Sequence, residues 1–228
     1  MGGISQIAAE LMLLETACSH GSYNYYHLLS GQDLPLKTQD EIHSFFEKQQ
    51  GREFVRFYSA EFEAGNRVRY FYPFQNICGR GNSLLTYPLK CADKVTVKLQ
   101  NAMHLSRNED VKFQKGSNWF SITDFFARYV VSKKSWIEKT FRFSYCADEV
   151  FLQTLLINSP YIDNLYHAEF DNDMHAIMRL IIWEGKGQHV FTIEDRERIE
   201  NTDLLFGRKF DVSKDKEIVE FVKQIAAN

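Results

Sequence analysis

The sequence predicts an α/β fold with a largely parallel central sheet. Three observations lead there. Segments of strand and helix character alternate along the chain. Tyr23 to Leu29 is apolar on both faces and bounded by Gly21 and Gly31, which suits a strand buried on both sides, as in a parallel sheet. Thr38 and Glu41 follow with capping-box spacing, so a helix is expected to about Gln49.

The other elements read in order. Ile4, Ile7, Ala8, Leu11 and Leu14 share one helical face, which predicts a helix over Ile4 to Ala17. Arg52 to Phe57 alternates as the next strand. Ser59 to Gly81, rich in Tyr, Phe, Gly and Arg, is irregular. Ser83 to Leu105 reads as helical, broken at Pro88. Trp119 to Ile122 is a strand, and Thr123 caps a helix through about Val131. In Cys146 to Leu155 an acidic pair opens an apolar helical run that ends before Pro160. Asp148 is the expected cap, which leaves Glu149 beside the positive end of the helix dipole. Met178 to Trp183 is an apolar strand. Lys214 to Ala227 closes the chain as an amphipathic helix, with Ser213 as its cap. There is no internal repeat and no low-complexity linker, so residues 1–228 read as one domain.

Composition excludes several function classes. Apolar residues make 44% of the chain and aromatics 14%, enough for a sizeable core. The net charge of −3, with Lys and Arg spread along the chain, argues against a nucleic-acid binder. Cys18, Cys78, Cys91 and Cys146 show neither CxxC pairing nor zinc-site spacing, and read as reduced thiols of a cytosolic setting. No apolar run approaches the roughly 20 residues needed to span a bilayer.

Few residues carry chemistry by themselves. An ionised Glu149 is what a general base requires, although acidic residues are ordinary in first helical turns. Arg179 lies inside an apolar strand. A charge there is costly unless it is paired, for example with Glu169 or Asp148, or faces a ligand. Asp33 follows a buried strand, where open α/β sheets bind ligands, and Ser30-Gly31 allows close backbone approach. The same residues also read as a turn closed by Asp33 and Pro35. Trp119 and Trp183 suit either stacking on a flat ligand face or a core. Asp171-Asn172-Asp173 has the spacing of a metal motif and the composition of a solvated turn. His167-Ala168-Glu169 lacks the Pro-Cys-x-x-Cys of a zinc deaminase. Gly79-Arg80-Gly81 is too short for a phosphate loop, and there is no Gly-x-Ser-x-Gly elbow.

Four segments in order carry a resemblance: Tyr26-His27-Leu28-Leu29-Ser30-Gly31-Gln32-Asp33-Leu34-Pro35, Gly116-Ser117-Asn118-Trp119-Phe120, the Asp148-Glu149 segment, and Leu205-Phe206-Gly207-Arg208-Lys209-Phe210-Asp211. Together they resemble the core-2/I-branching glycosyltransferases, which include β-1,6-N-acetylglucosaminyltransferases and peptide O-xylosyltransferases. The match runs from about Gly2 to the C-terminus and is nearest the bacterial branch. The resemblance implies a GT-A-like fold and an inverting, metal-independent transfer from a UDP-sugar to a glycan hydroxyl. UDP-N-acetylglucosamine is the first donor implied and UDP-xylose the second. Glu149 matches the base. Arg179 and Lys209 match the cations at the diphosphate. Asp33, Ser117 and Trp119 match the donor and sugar site. Inverting transfer needs one carboxylate, so no glycosidase-style pair is expected. The family has a Trp before Gly-Gly-x-Ser where Met1 stands here, and strands before that. The expectation is that the N-terminal nucleoside-binding portion is missing, and a catalytically silent glycan-binding fragment is the competing reading. The implied setting is cytoplasmic, at the inner face of a bacterial membrane with peripheral association, and the oligomeric state stays open.

Overall fold

The computed structural model describes residues 3–61, 65–78, 86–185 and 187–227. Helix α1 (Ile4–His20) leads into strands β1 (Tyr25–His27) and β2 (Asp33–Pro35), helix α2 (Gln39–Lys48) and strand β3 (Phe54–Phe57). Short helices α3 (Gly65–Val68) and α4 (Gln75–Cys78) precede the long α5 (Tyr87–Ala102). Strand β4 (Gly116–Thr123) runs into α6 (Asp124–Ser132), then α7 (Lys134–Phe141) and α8 (Phe151–Ile157). Strands β5 (Arg179–Ile181), β6 (Trp183–Glu184) and β7 (Gly187–Gln188), helix α9 (Arg196–Asn201), strand β8 (Phe206–Arg208) and α10 (Lys216–Ala227) complete the order. The predicted starts at Ser83 and the Gly79-Arg80-Gly81 motif lie outside the described residues.

The alternation of strands and helices stands, but the pairing corrects the expected parallel sheet. One sheet has the order β1-β4-β3, and both of its pairings are antiparallel. A second has the order β2-β8-β5, antiparallel at β2/β8 and parallel at β5/β8. The reason is visible in β1. Tyr26 packs into the large core beneath α1, α6, α7 and α8, while Tyr25 packs into a second cluster with Ile42, Phe46, Phe54 and Phe206. Helices cover one face, and α2 with the second sheet covers the other. A strand so enclosed is apolar on both sides whatever the direction of its neighbour.

Local signals explain most boundaries. Thr38 and Glu41 form the full capping box of α2, with bonds of 3.1 and 2.8 Å. The Thr123 hydroxyl accepts from Phe126 N and starts α6. Two expectations are corrected. Pro88 sits in the first turn of α5, where its missing N–H costs nothing, so it starts the helix instead of breaking it. Asp215, not Ser213, caps α10, accepting from Ile218 N at 3.0 Å.

Glu53 ties the first sheet to α6. Its carboxylate accepts from Thr123 N at 2.9 Å and from the Thr123 hydroxyl at 2.6 Å. Burial nonetheless pushes its pKa up to about 7. A carboxylate whose pKa rises on folding adds stability that is complete below about pH 4.5 and is lost as pH climbs through about 7. Glu53→Gln should therefore gain about 3 kcal/mol on the native chain between those limits. Urea unfolding at both ends of the range measures it. A difference that does not change with pH would remove Glu53 as the titrating group.

Candidate functional site

The site is organised by an irregularity in β4. The two-residue step from Val55 to Phe57 on β3 is matched by a four-residue step from Phe120 to Gly116 on β4. Ser117, Asn118 and Trp119 therefore bulge out of the ladder opposite Arg56. Buried Gln153 of α8 spans the gap, donating to Ser117 O at 2.6 Å and to Arg56 O at 3.3 Å. Gly116 is required here, because a Cβ would stand 1.7 Å from Arg56 O. Ser117 is buried, and its hydroxyl accepts from Trp119 N at 3.1 Å, so its role in this state is to shape the bulge.

At the Gly116 end of the bulge lies Glu149. Its carboxylate pairs with Arg67 at 2.9 Å and with Lys115 at 3.4 Å, and the side chain is 32% exposed, enough for a hydroxyl to reach it. The cap assignment is corrected. Ala147–Glu149 forms a separate 3-10 turn after Cys146 in the left-handed region, and α8 begins at Phe151 behind Val150 with no side-chain cap. Asp148 is buried. Arg67 and Lys115, not a helix terminus, meet the charge of Glu149. Lys115 also lies over the Tyr58 ring at 4.2 Å, and the Arg56 guanidinium lies 5.7 Å from the same ring.

At the other end, Trp119 meets a second cluster. The Arg208 guanidinium stands 4.8 Å from the Trp119 ring centre. Arg208 donates to Asp33 at 2.8 Å, to Gln188 at 2.8 Å and to the Ser30 hydroxyl. Asp33 also accepts from Ser30 N at 2.7 Å, and its N–H donates to Ser30 O, so the turn it was expected to close is present. Beside it, Gly31 faces open space. Asp33 and Arg208 are direct partners across β2/β8. Arg208 was not singled out by sequence reasoning. The signal for it was adjacency to Lys209 in the same motif. Lys209 is half-buried, and its ammonium makes no ion pair with a described residue.

Arg179 is placed differently. It is 1% exposed and donates to the carbonyls of Leu28, Phe120 and Ile177 at 2.8 to 3.2 Å. Burial lowers its pKa to about 10, so it remains charged at neutral pH. Neither Glu169 nor Asp148 is its partner. Where it stands, it ties β1 to β4 beneath the Ser30 turn. Reaching a diphosphate would require it to leave that position.

Asp171-Asn172-Asp173 forms a turn. Asp171 accepts from Asp173 N at 3.0 Å, and Asp173 accepts from His175 N at 2.9 Å. Asn172 takes the left-handed conformation, and its N–H donates to Phe57 O, tying the loop to the end of β3. His167, Asp171 and Asp173 offer ligand atoms within 4.8 Å of one another, the group among the described residues best suited to a cation. Trp183 lies on the β6/β7 hairpin and is exposed.

A family model described as "Core-2/I-Branching enzyme" matches residues 1–205. Among curated proteins the chain is similar to "Xylosyltransferase oxt" of Drosophila pseudoobscura pseudoobscura, with 24% identity over 232 residues. The match covers 92% of this chain and 24% of that relative, so the chain spans about a quarter of the relative's length.

Proposed function

Because the chain belongs to the Core-2/I-branching enzyme family, we infer that it is a glycosyltransferase, moving a sugar from a UDP-sugar to a hydroxyl of a glycan acceptor. One observation carries the reading: a single bulge presents Glu149 at one end and the Trp119–Arg208–Asp33 cluster at the other. Glu149 takes the proton of the acceptor hydroxyl as its oxygen attacks the anomeric carbon. The bond to the diphosphate breaks on the opposite face, and the diphosphate leaves with its electron pair. Lys209 and Arg208 meet that charge, and Trp119 offers an aromatic face to the sugar. Arg179 supports the site from below. N-acetylglucosamine is the donor sugar proposed. Xylose is the alternative, favoured by the name of the relative, a xylosyltransferase.

The proposal assigns charge neutralisation to side chains instead of a divalent metal. Transfer should continue in excess EDTA, and Lys209→Ala should weaken UDP binding by about 1.5–3 kcal/mol, the usual worth of a hydrogen bond to a charged group. Calorimetric titration of UDP onto both chains reads the second effect. Activity abolished by EDTA and restored by manganese would move the role to His167, Asp171 and Asp173. Among the described residues, no helix is long and apolar enough to cross a membrane.

A further inference from the structure

Helix α5 is built inside out. The residues it buries most completely are polar, Asp93 and Gln100, at 5% and 7% exposure. Asp93 accepts from Phe74 N at 3.1 Å. Gln100 accepts from Phe71 N at 2.9 Å and donates to Phe71 O at 3.1 Å. No residue of α5 belongs to a buried apolar cluster among the described residues. Val95, Leu99 and the following Met103, spaced four apart, face outward instead, at 55%, 56% and 58% exposure, while Leu89 and Val97 are half-buried. Leu105 beyond the helix, Tyr87 at its start and Ile77 on adjoining α4 are exposed as well. Leaving one such residue in water is ordinary, but a contiguous stripe marks an interaction surface.

Charge identifies the partner. The exposed charged side chains of α5 are Lys94 and Lys98, with Lys90 half-exposed on the same flank. The one acid of the helix, Asp93, is turned inward. In a chain of net charge −3, this face is apolar and basic. We propose that α5 docks on a membrane surface carrying anionic headgroups. The helix lies in the plane of the interface along about 24 Å, its 16 residues rising 1.5 Å each. Val95, Leu99 and Met103 enter the headgroup–acyl boundary, and the lysines extend along their flank to the phosphates. A peptide partner would need acids matched to the lysine spacing, whereas a lipid surface needs only net negative charge. The proposal stands whether or not the chain transfers sugar.

Flotation with phosphatidylcholine vesicles and with equimolar phosphatidylcholine–phosphatidylglycerol vesicles tests it, using the full chain. Binding should require the anionic lipid and fall with added salt. Lys94→Glu with Lys98→Glu should weaken it roughly 30-fold or more, from about 1 kcal/mol per basic residue at an anionic surface. Val95→Gln with Leu99→Gln should weaken it without altering the melting temperature, since both positions face solvent. Absence of binding to anionic vesicles at low salt would overturn the proposal, as would binding that both double variants leave unchanged. Conversion of a dimer to a monomer by Val95→Gln with Leu99→Gln, with no vesicle binding, would also overturn it and give the face to a second copy of the chain.

Discussion

Glu149→Gln should lower turnover by roughly 10²–10⁴, the usual size of general-base catalysis, with little change in donor affinity. The amide keeps the size of the side chain, and its oxygen can still accept from Arg67, so the geometry at the end of the bulge survives. What it loses is the capacity to take a proton. The loss should therefore fall on kcat and on kcat/KM alike, the pattern of an interaction made only in the transition state. Asp148→Asn is the informative companion. Asp148 is buried, and its charge adds to the burial that raises the pKa of Glu10 well above the ordinary range. Its effect should appear in the unfolding curve rather than in turnover. Near-normal turnover in Glu149→Gln would end its assignment as the base.

Gly116→Ala should cost about 3 kcal/mol of stability, at the upper end of overpacking changes. The added methyl would stand 1.7 Å from Arg56 O and 2.8 Å from the amide nitrogen of Gln153. The first of these is backbone in a paired strand and cannot turn aside. Strands β3 and β4 must separate, and the Gln153 bridge to both carbonyls is strained with them. Donor and acceptor contacts should weaken together, because Lys115 precedes the bulge and Trp119 rides on it. Gly31→Ala is the control: no atom lies within 4 Å of its added Cβ, so stability should hold. Equal melting temperatures for the two variants would show that β3 and β4 yield at no cost.

The parts of this architecture legible in the sequence are those written within a few residues. The capping box at Thr38, the cap at Thr123 and the strand around Phe54 to Phe57 depend on local spacing, and each stands where the pattern places it. Strand direction was not legible, because two-sided burial of Tyr25 and Tyr26 arises equally from helices packed on a mixed sheet. Asp148 carried a cap's chemistry but not a cap's position, since Val150 separates its turn from α8. The candidate site divides the same way. Asp33, Ser117, Trp119 and Glu149 were named from motifs, and the fold gathers them around one bulge. Arg208 was missed because its meaning lies in register: it faces Asp33 across a strand pair that joins distant parts of the chain. Arg179 was read from an apolar neighbourhood that a ligand or a core would supply equally. Its carbonyl partners, in particular Leu28 and Phe120, lie far from it in sequence and could not be anticipated.

The carboxylate that joins β3 to α6 has a counterpart across β4. Glu53 bonds Thr123, and His27 bonds the Ser121 hydroxyl at 2.8 Å. Burial, aided by the charge of Arg179, lowers the pKa of His27 to about 4, while that of Glu53 rises to about 7. In an unfolded chain near pH 5.5 the imidazole holds a proton and the carboxylate does not. Folding reverses both, so the protein in effect carries a proton from a base to an acid as the strands close around them. Two ionic groups enter the interior as a neutral pair, with no net proton drawn from solvent. Between about pH 4 and pH 7 the sheet beneath the candidate site is thus electrically quiet at both positions, and the buried charges beside it are the guanidinium groups of Arg56 on β3 and Arg179 on β5.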